Sequence, residues 1–121
     1  MEQQYLGSTG TPAKPVTESE RLLGVLSHVL TFVVWIFAPL VIYFLKKDES
    51  EFVRIHAKES INFQLTLMLY YLVAFITLIL LVGIFLFIVI GIFHVVLIIV
   101  ATIRAADEKL YRYPYTIRFI Q

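Results

Sequence analysis

The longest stretch of this chain without a charged residue runs from Ile61 to Ile103, which is 43 residues. As a continuous helix it would be ~65 Å long, because an α-helix rises about 1.5 Å per residue. One crossing of a bilayer needs only about 20 apolar residues. The stretch therefore predicts two crossings joined by a tight reversal around Leu81–Ile84, where Gly83 can turn at low cost. A re-entrant pair that does not cross is the alternative.

The composition excludes an ordinary soluble domain. The chain has 121 residues, of which 60% are hydrophobic and 16% are charged. Soluble domains have about 25% charged residues and just under half apolar ones. A soluble fold of this size could not bury so much apolar side chain, because a small fold leaves much of its surface in water. The chain also has no cysteine, which rules out disulfides and thiolate chemistry.

A second uncharged stretch extends from Leu22 to Leu45. At ~36 Å it is long enough to cross a ~30 Å hydrocarbon core with some tilt. Pro39 predicts a kink near Phe37. Before it, Thr17 and Glu20 have the spacing of a capping box, which predicts that a helix begins here.

These patterns predict an all-α integral membrane protein with three transmembrane helices, a cytoplasmic interfacial amphipathic helix and an extended C-terminal strip. The predicted parts are a flexible tail at 1–17 and a single membrane domain at 18–121, with spans at about 22–45, 61–82 and 84–104 and the interfacial helix at about 51–60.

The basic residues predict the orientation. With three spans, two Lys or Arg residues accompany the N-terminal tail, and eight accompany the loop after Leu45 and the C-terminus. Because Lys and Arg near span ends favour the cytoplasm, the N-terminus is expected outside and the C-terminus in the cytoplasm. The expected location is the plasma membrane of a prokaryote, in a multi-pass arrangement.

Small and polar residues fall on one face of each predicted span. The three sets are Gly24, His28, Thr31 and Trp35; Asn62, Thr66, Tyr70, Ala74 and Thr77; and Gly91, His94, Ile98, Ala101 and Ala105. Spacings of three and four place each set along one side of a helix. Helix packing explains such faces, because small residues allow close approach and hydroxyls bond across helices. A polar pathway is the alternative.

His28 and His94 are the ionisable residues inside the predicted spans. Such groups at membrane depth are functional candidates. A proton relay or a metal pair is one interpretation. The favoured one is a neutral imidazole hydrogen-bonded to a hydroxyl or a carbonyl, because no Asp, Glu or Cys accompanies them. No enzyme activity, metal or cofactor is therefore expected.

The C-terminal residues 111–121 alternate in a two-residue period, with aromatic residues on one side and Arg112 and Arg118 on the other. This pattern predicts an extended strip along the membrane interface, with arginines on phosphates or on protein acids. Aromatic residues interleaved with arginines also occur in nucleic-acid sites. Beside a membrane exit, anionic lipid headgroups on the cytoplasmic side are the expected partner, and nucleic acid is not.

Three blocks of residues together resemble a known family. They are Pro39-Leu40 leading to Lys46–Ser50, His56–Glu59 with Asn62–Gln64, and Tyr111–Pro114 with Thr116–Ile120. They resemble small prokaryotic membrane proteins of unknown function, which are grouped with the twenty-kilodalton Tic-type component of chloroplast inner-envelope import. His28 also falls at a histidine position of that pattern. The resemblance covers about residues 20–121 and implies a helical membrane bundle, and more remotely a role near protein translocation. The plant relative has four spans, whereas this chain has room for three.

The polar segment from His56 to Gln64 is predicted to join the loop, the second span and the C-terminal strip. Lys58, Glu59 and Asn62 are close enough along a helix to converge. Glu59 is expected to pair with Arg112 or Arg118, and buried Asn62 and Gln64 need hydrogen-bond partners. A structural lock is favoured over a ligand-binding site. The candidate structural or interaction residues are His28, His56, Lys58, Glu59, Asn62, Gln64, His94, Arg112, Tyr113, Pro114 and Arg118.

The leading hypothesis is a non-enzymatic accessory component of a membrane assembly. It would associate with itself or with other membrane proteins, and the resemblance alone implies a link to translocation. The alternative is a channel or carrier subunit whose polar faces line a path after oligomerisation. An enzyme acting on lipid would need a buried acid or nucleophile that this sequence does not offer.

Overall fold

The computed structural model describes residues 6–78 and 81–121, which are mostly helical. In chain order the elements are β1 (Ser8–Gly10), α1 (Glu18–Val29), α2 (Thr31–Val34), α3 (Phe37–Lys46), α4 (Glu51–Thr77), α5 (Val82–Ala106) and β2 (Leu110–Arg112). The helical fold class is confirmed, whereas the arrangement of the helices differs from the sequence-based prediction.

Two helices are long and apolar enough to cross a membrane, α4 with 27 residues and α5 with 25. At about 1.5 Å per residue they are ~40 Å and ~38 Å long, more than the ~30 Å hydrocarbon core. They pack against each other, and the chain reverses between Thr77 and Val82. The end of the predicted 61–82 span, at residues 79 and 80, lies outside the described residues. The long uncharged stretch thus forms a pair of helices, as predicted.

The predicted role of Gly83 in this reversal is wrong. The residue with a left-handed backbone is Leu81, at φ 65°, whereas Gly83 is already part of α5. A Cβ on Gly83 would collide with the backbone of Leu78 and with the carbonyl oxygen of Ala74. Glycine is therefore required for close approach of the two helices rather than for the turn.

The prediction of one span at 22–45 is also wrong, because this segment forms three separate helices. α2 ends at Val34, the next residue Trp35 has φ 58° and ψ −133°, and α3 starts at Phe37. Pro39 explains the position of the break. In a continuous helix Pro39 could not donate a hydrogen bond to the carbonyl of Trp35, and its ring would clash with that carbonyl. In the first turn of α3 the missing N–H costs nothing, because that group has no helical partner there.

The broken segment enters and leaves at the same end of the bundle. α1 and α3 have 12 and 10 residues, or ~18 Å and ~15 Å, about half of a hydrocarbon core. The Ser50 hydroxyl, just before α4, donates a hydrogen bond to the carboxylate of Glu20 in the first turn of α1. The start of α1 therefore lies beside the end of α3. We call α1–α3 the re-entrant hairpin, and two candidate spans replace the predicted three.

The two terminal segments meet at one end of the fold. β1 pairs with β2 in an antiparallel two-stranded sheet, with Ser8 opposite Arg112 and Gly10 opposite Leu110. The prediction that the termini lie on opposite sides is therefore wrong. Residues 8–10 of the predicted flexible tail form a strand, and residues 1–5 of that tail lie outside the described part of the chain.

All ten Lys and Arg residues of the chain accompany this same end. It comprises the starts of α1 and α4, the ends of α3 and α5, and the two strands. We call it the charged end.

The predicted interfacial helix at 51–60 is not a separate element. Residues 51–77 form one unbroken helix, which begins where the Ser50 hydroxyl accepts a hydrogen bond from the Val53 N–H at 3.2 Å. The capping box at Thr17 and Glu20 is confirmed, since both of its reciprocal hydrogen bonds are present.

Two apolar clusters hold the helices together. One joins α4, α5 and the C-terminal residues, and the other joins α3 to the first turns of α4. The buried residues of the first are Phe63, Leu67, Leu97, Ile98, Ala101, Tyr111 and Tyr113. Around them, α4 from Met68 onward and α5 along most of its length expose large apolar side chains. Such a surface is what lipid, rather than water, stabilises.

Candidate functional site

Three buried rings at the charged end form a continuous hydrogen-bonded chain. His28 comes from α1, His56 from α4 and Tyr113 from the residues after β2, and none is more than 2% exposed. His28 Nδ1 lies 2.8 Å from the Tyr113 hydroxyl, and His28 Nε2 lies 2.9 Å from His56 Nδ1. His56 Nε2 lies 2.8 Å from the backbone carbonyl of Lys109. We call His28, His56 and Tyr113 the histidine–tyrosine cluster.

The carbonyl at its end fixes every proton in this cluster. A carbonyl oxygen only accepts, so His56 Nε2 must carry the proton. A neutral His56 then accepts at Nδ1 from the N–H of His28 Nε2, and His28 in turn accepts at Nδ1 from the Tyr113 hydroxyl. With both imidazoles neutral, reversing the direction of these bonds would require the carbonyl to donate, which it cannot do. All four ring nitrogens and the Tyr113 hydroxyl therefore have hydrogen-bond partners, and each donor points along the chain from Tyr113 toward Lys109. The cluster thereby joins α1, α4 and the C-terminal segment.

Glu59 attaches the C-terminal segment to the next turn of α4. Its Oε1 accepts from the backbone N–H of Tyr113 at 2.7 Å and from Arg118 Nη2 at 2.9 Å. Arg118 Nη2 also donates to the Tyr113 carbonyl at 2.9 Å. The Tyr113 ring stacks on Phe63, with centroids 3.8 Å apart and planes within 2°. Glu59 thus pairs with Arg118, one of its two predicted partners.

Burial affects the ionisation of two groups in this segment. It raises the pKa of the Tyr113 phenol well above its ordinary value, so the hydroxyl stays protonated and can donate to His28. Burial also lowers the pKa of the Arg118 guanidinium, an effect that nearby Glu59 opposes. Arginine nevertheless stays charged in proteins, so the Arg118 guanidinium remains a cationic donor to Glu59.

Residues 113–121, which we call the C-terminal loop, bind the polar face of α4. The Asn62 side chain donates to the Ile120 carbonyl at 3.1 Å and accepts from the Ile120 N–H at 2.8 Å. The Ile117 N–H donates to the Thr66 hydroxyl at 3.0 Å, and the Tyr70 hydroxyl donates to the Tyr115 carbonyl. The first part of the face that the sequence marked as a helix-packing seam therefore holds a loop, whereas Ala74 farther along that face lies close to Gly83 of α5.

This docking contradicts the predicted extended strip. The two-residue alternation fails, because Tyr113 is buried whereas Tyr115 is 66% exposed and has a left-handed φ of 54°. Only Leu110–Arg112 is a strand. The backbone beyond it bonds to side chains of α4 rather than to a neighbouring strand, so it has no reason to stay extended.

The remaining predicted site residues lie in different surroundings. His94 Nδ1 is 2.9 Å from the Tyr71 hydroxyl, and among the described residues His94 has no hydrogen bond to the histidine–tyrosine cluster. Pro114 is buried beside Tyr113. Lys58 is half-buried and Arg112 is exposed, and neither side chain has a hydrogen bond or ion pair among the described residues. Gln64 is 1% exposed, and its Nε2 has no partner in the described part of the chain.

Some members of this site could not be identified from the sequence. The Lys109 carbonyl is a backbone group that carries no residue-type signal, and Tyr71 lies off the polar face that the spacing picked out. His28 and His56 are 28 residues apart, and no local pattern links them. In residues 6–78 and 81–121 no group of three His, Cys, Asp or Glu side chains could hold a metal ion.

Comparisons with known proteins correct the family resemblance. The model of the magnetosome magnetite crystal formation protein family, MamF/MmsF, matches residues 19–120. Searches of curated proteins and of solved structures gave no match. The resemblance to the Tic-type chloroplast import component is therefore wrong as a family assignment, and with it the implied link to protein translocation has no support. Because the match covers most of the sequence, the chain belongs to the MamF/MmsF magnetosome magnetite crystal formation protein family.

Proposed function

We propose that this chain is a non-enzymatic integral membrane protein that acts as an accessory component of a membrane assembly through its charged end. The observation that supports this proposal is the placement of all ten Lys and Arg residues at one end of a bundle with two candidate spans. Because the positive-inside rule counts Lys and Arg near span ends, this end faces the cytoplasm together with both termini. The helix reversal near Leu81 and the tip of the re-entrant hairpin face the opposite side.

The hydrogen bonds that the buried histidine and glutamate side chains already make support a structural rather than a catalytic role. His28 and His56 use both ring nitrogens within the histidine–tyrosine cluster, and the Glu59 carboxylate binds Arg118 and the Tyr113 backbone. A general base needs a free site within hydrogen-bond reach of a substrate proton. These groups instead hold the C-terminal loop and the re-entrant hairpin against α4.

The surface of the charged end is suited to anionic lipid headgroups. Arg112 lines an open depression with Tyr115 and Thr116, which places its exposed guanidinium beside an exposed aromatic ring and a hydroxyl. Basic residues near a membrane surface each contribute about 1 kcal/mol of attraction to anionic lipid. Headgroup binding would thus hold the C-terminal loop at the interface.

The family description suggests the kind of assembly, namely one concerned with magnetite crystal formation. In this chain the described carboxylates all lie at the charged end or in its loops. A contribution to crystal formation would therefore act through this end and its partners, which include other membrane proteins or further copies of the chain. The channel alternative is not favoured, because the polar faces of α1 and α4 are occupied by the cluster and the C-terminal loop.

Labelling of single cysteines tests the proposal. The chain has no native cysteine, so each variant carries one reactive thiol at a known position. Ser8→Cys, Glu49→Cys and Gln121→Cys should react with a membrane-impermeant maleimide only in inverted vesicles, and Leu81→Cys only in right-side-out cells. The protein should resist carbonate extraction and migrate on native gels as a complex larger than one chain. Labelling of Ser8→Cys and Gln121→Cys from opposite sides, extraction by carbonate, or a strictly monomeric protein would each refute the proposal.

A further inference from the structure

A lateral cleft opens between α4, α5 and the tip of the re-entrant hairpin. Its volume is about 460 Å³, and its walls are almost wholly apolar. The apolar lining residues are Trp35, Leu67, Met68, Leu72, Phe75 and Phe87. Met68, Leu72 and Phe75 are 46%, 55% and 64% exposed, so the cleft opens on the surface that faces lipid. It is separate from the histidine–tyrosine cluster and from the C-terminal loop.

One end of this cleft holds a polar group without a partner. Gln64 lines the cleft, is 1% exposed, and its amide Nε2 has no hydrogen-bond partner among the described residues. Its neighbour on the helix, Asn62, has both amide atoms bonded to the Ile120 backbone. A buried donor left unpaired is destabilising, and such groups are rare in folded proteins. A glutamine here therefore indicates an acceptor supplied by something other than the described residues.

A second unused donor lies on the wall of the cleft. Tyr71 and His94 both line it and are bonded to each other through the hydroxyl and Nδ1, at 2.9 Å. A neutral histidine has one N–H and a tyrosine has one O–H, and their mutual bond uses only one of the two. Either His94 Nε2 or the Tyr71 hydroxyl is left with a free hydrogen. Among residues 6–78 and 81–121, no Asp, Glu, Lys or Arg lines the cleft. The ligand that fits is uncharged where it meets these donors, bears acceptor oxygens and is otherwise apolar.

The length of the cleft indicates the type of molecule. Gln64 and Phe75 are 11 positions apart on α4, or ~16 Å along the helix axis. This is about half of the ~30 Å hydrocarbon core, the depth of one leaflet. Gln64 lies toward the charged end and Phe75 toward the reversal, so an acyl chain entering from the charged side would lie along the cleft with its ester carbonyl near Gln64.

We propose that the cleft binds one acyl chain of a diacylglycerol-based lipid and that the Gln64 side chain, whose Nε2 is enclosed in this structure, rotates toward the cleft and donates a hydrogen bond to the ester carbonyl. This inference rests on the proposed membrane insertion. The bound lipid would fill the space beside Trp35 and connect the re-entrant hairpin to the two long helices.

The test compares phosphatidylglycerol with its ether-linked analogue, which has the same headgroup and chains but lacks the carbonyls. Purified, detergent-solubilised protein is mixed with equal amounts of the two, and the retained lipid is measured by native mass spectrometry. Wild-type protein should prefer the ester lipid by about 2–10-fold, the equivalent of one hydrogen bond. Gln64→Leu should abolish the preference, because it keeps the cleft apolar and removes only the donor.

Two control variants make the result specific. Gln121→Leu makes the same change at the exposed C-terminus and should keep the preference. Ser60→Ala removes the other unpaired polar group of α4, one turn before Gln64, and should also keep it. Gln64→Leu should unfold at the same temperature as wild type or higher in lipid-free detergent, which shows that the variant folds.

Equal retention of ester and ether lipid by the wild type, an unchanged preference in Gln64→Leu, or no retained lipid would overturn the inference. These outcomes differ from a failure of the proposed function, which the cysteine labelling and carbonate extraction detect in membranes before purification.

Discussion

The ion pair between Glu59 and Arg118 gives the sharpest test of how the C-terminal loop is held. Glu59→Ala removes a carboxylate that is 4% exposed and bonds both Arg118 Nη2, at 2.9 Å, and the Tyr113 N–H, at 2.7 Å. The change leaves a mostly buried guanidinium without its counter-charge and a buried backbone donor without its acceptor.

The loss of unfolding free energy in Glu59→Ala follows from these two broken interactions. Breaking a buried ion pair by removing one partner costs about 3–5 kcal/mol. Arg118 is 17% exposed and keeps its bond to the Tyr113 carbonyl, so the lower end applies. The unpaired Tyr113 N–H alone would cost about 1–3 kcal/mol, a cost that overlaps with the first. We expect Glu59→Ala to lower the free energy of unfolding by about 3 kcal/mol.

A double-mutant cycle with Arg118→Ala separates the pair from its surroundings. The double variant should be less destabilised than the sum of the two single variants by about 1–3 kcal/mol, because the two side chains are in direct contact. Arg112→Ala is the matched control. Its exposed side chain has no hydrogen bond or ion pair among the described residues, and it should change stability by no more than about 0.5 kcal/mol.

The assay is reversible denaturation in one detergent, followed by tryptophan fluorescence from the single Trp of the chain, Trp35. Strict additivity of Glu59→Ala and Arg118→Ala would refute the reasoning. So would an effect of Arg112→Ala as large as that of Arg118→Ala, since Glu59 would then rely on the other arginine.

Two further predictions concern alkaline pH and glycine packing. Burial raises the pKa of Tyr111 and Tyr113 above the ordinary 10.0, so their contribution to stability is fully present below about pH 10 and is lost as the pH rises through the folded-state values. The unfolding temperature should therefore fall above pH 10, and Tyr111→Phe with Tyr113→Phe should reduce the fall. Gly83→Ala should lower the free energy of unfolding by about 1–3 kcal/mol through overpacking, because the added Cβ would collide with the backbone of Ala74 and Leu78 at the C-terminal end of α4. Gly91→Ala should be neutral or stabilising by up to about 1 kcal/mol, since nothing lies within 4 Å of its Cβ position.

Each of these predictions has its own contrary outcome. An unfolding temperature that falls equally in wild type and in the tyrosine variants would assign the alkaline loss to other groups, such as lysines. Equal stability of the two glycine variants would show that α4 and α5 are not in close contact at the reversal.

Local signals in the sequence were sufficient for several parts of the fold. The capping box needs only Thr17 and Glu20 three residues apart, and the two long helices follow from the length of one uncharged stretch. The pairing of Glu59 with an arginine of the C-terminal segment was also predictable, because a carboxylate near the membrane needs a cation and few were within reach.

The segment 22–45 shows where this reasoning fails. Length and apolarity are the same for one helix that crosses and for two half-length helices that return, so an apolar count cannot separate them. Pro39 carries the missing information, since it forbids a helical bond to Trp35, but proline also occurs in kinked continuous spans. The choice depends on whether α4 offers a surface for both short helices, and such a surface exists only in the folded bundle.

The sequence by itself determined that this chain is helical, that most of its surface belongs in lipid, and where its charges concentrate, because hydropathy and charge are properties of each residue alone. The tertiary structure decided which end the termini share, which ring nitrogen faces which partner in the histidine–tyrosine cluster, and that the polar face of α4 binds a loop. These features depend on contacts between residues far apart in the chain, such as His28 with His56 and Asn62 with Ile120. Hydrogen bonds of this kind require positions and directions that no local pattern specifies.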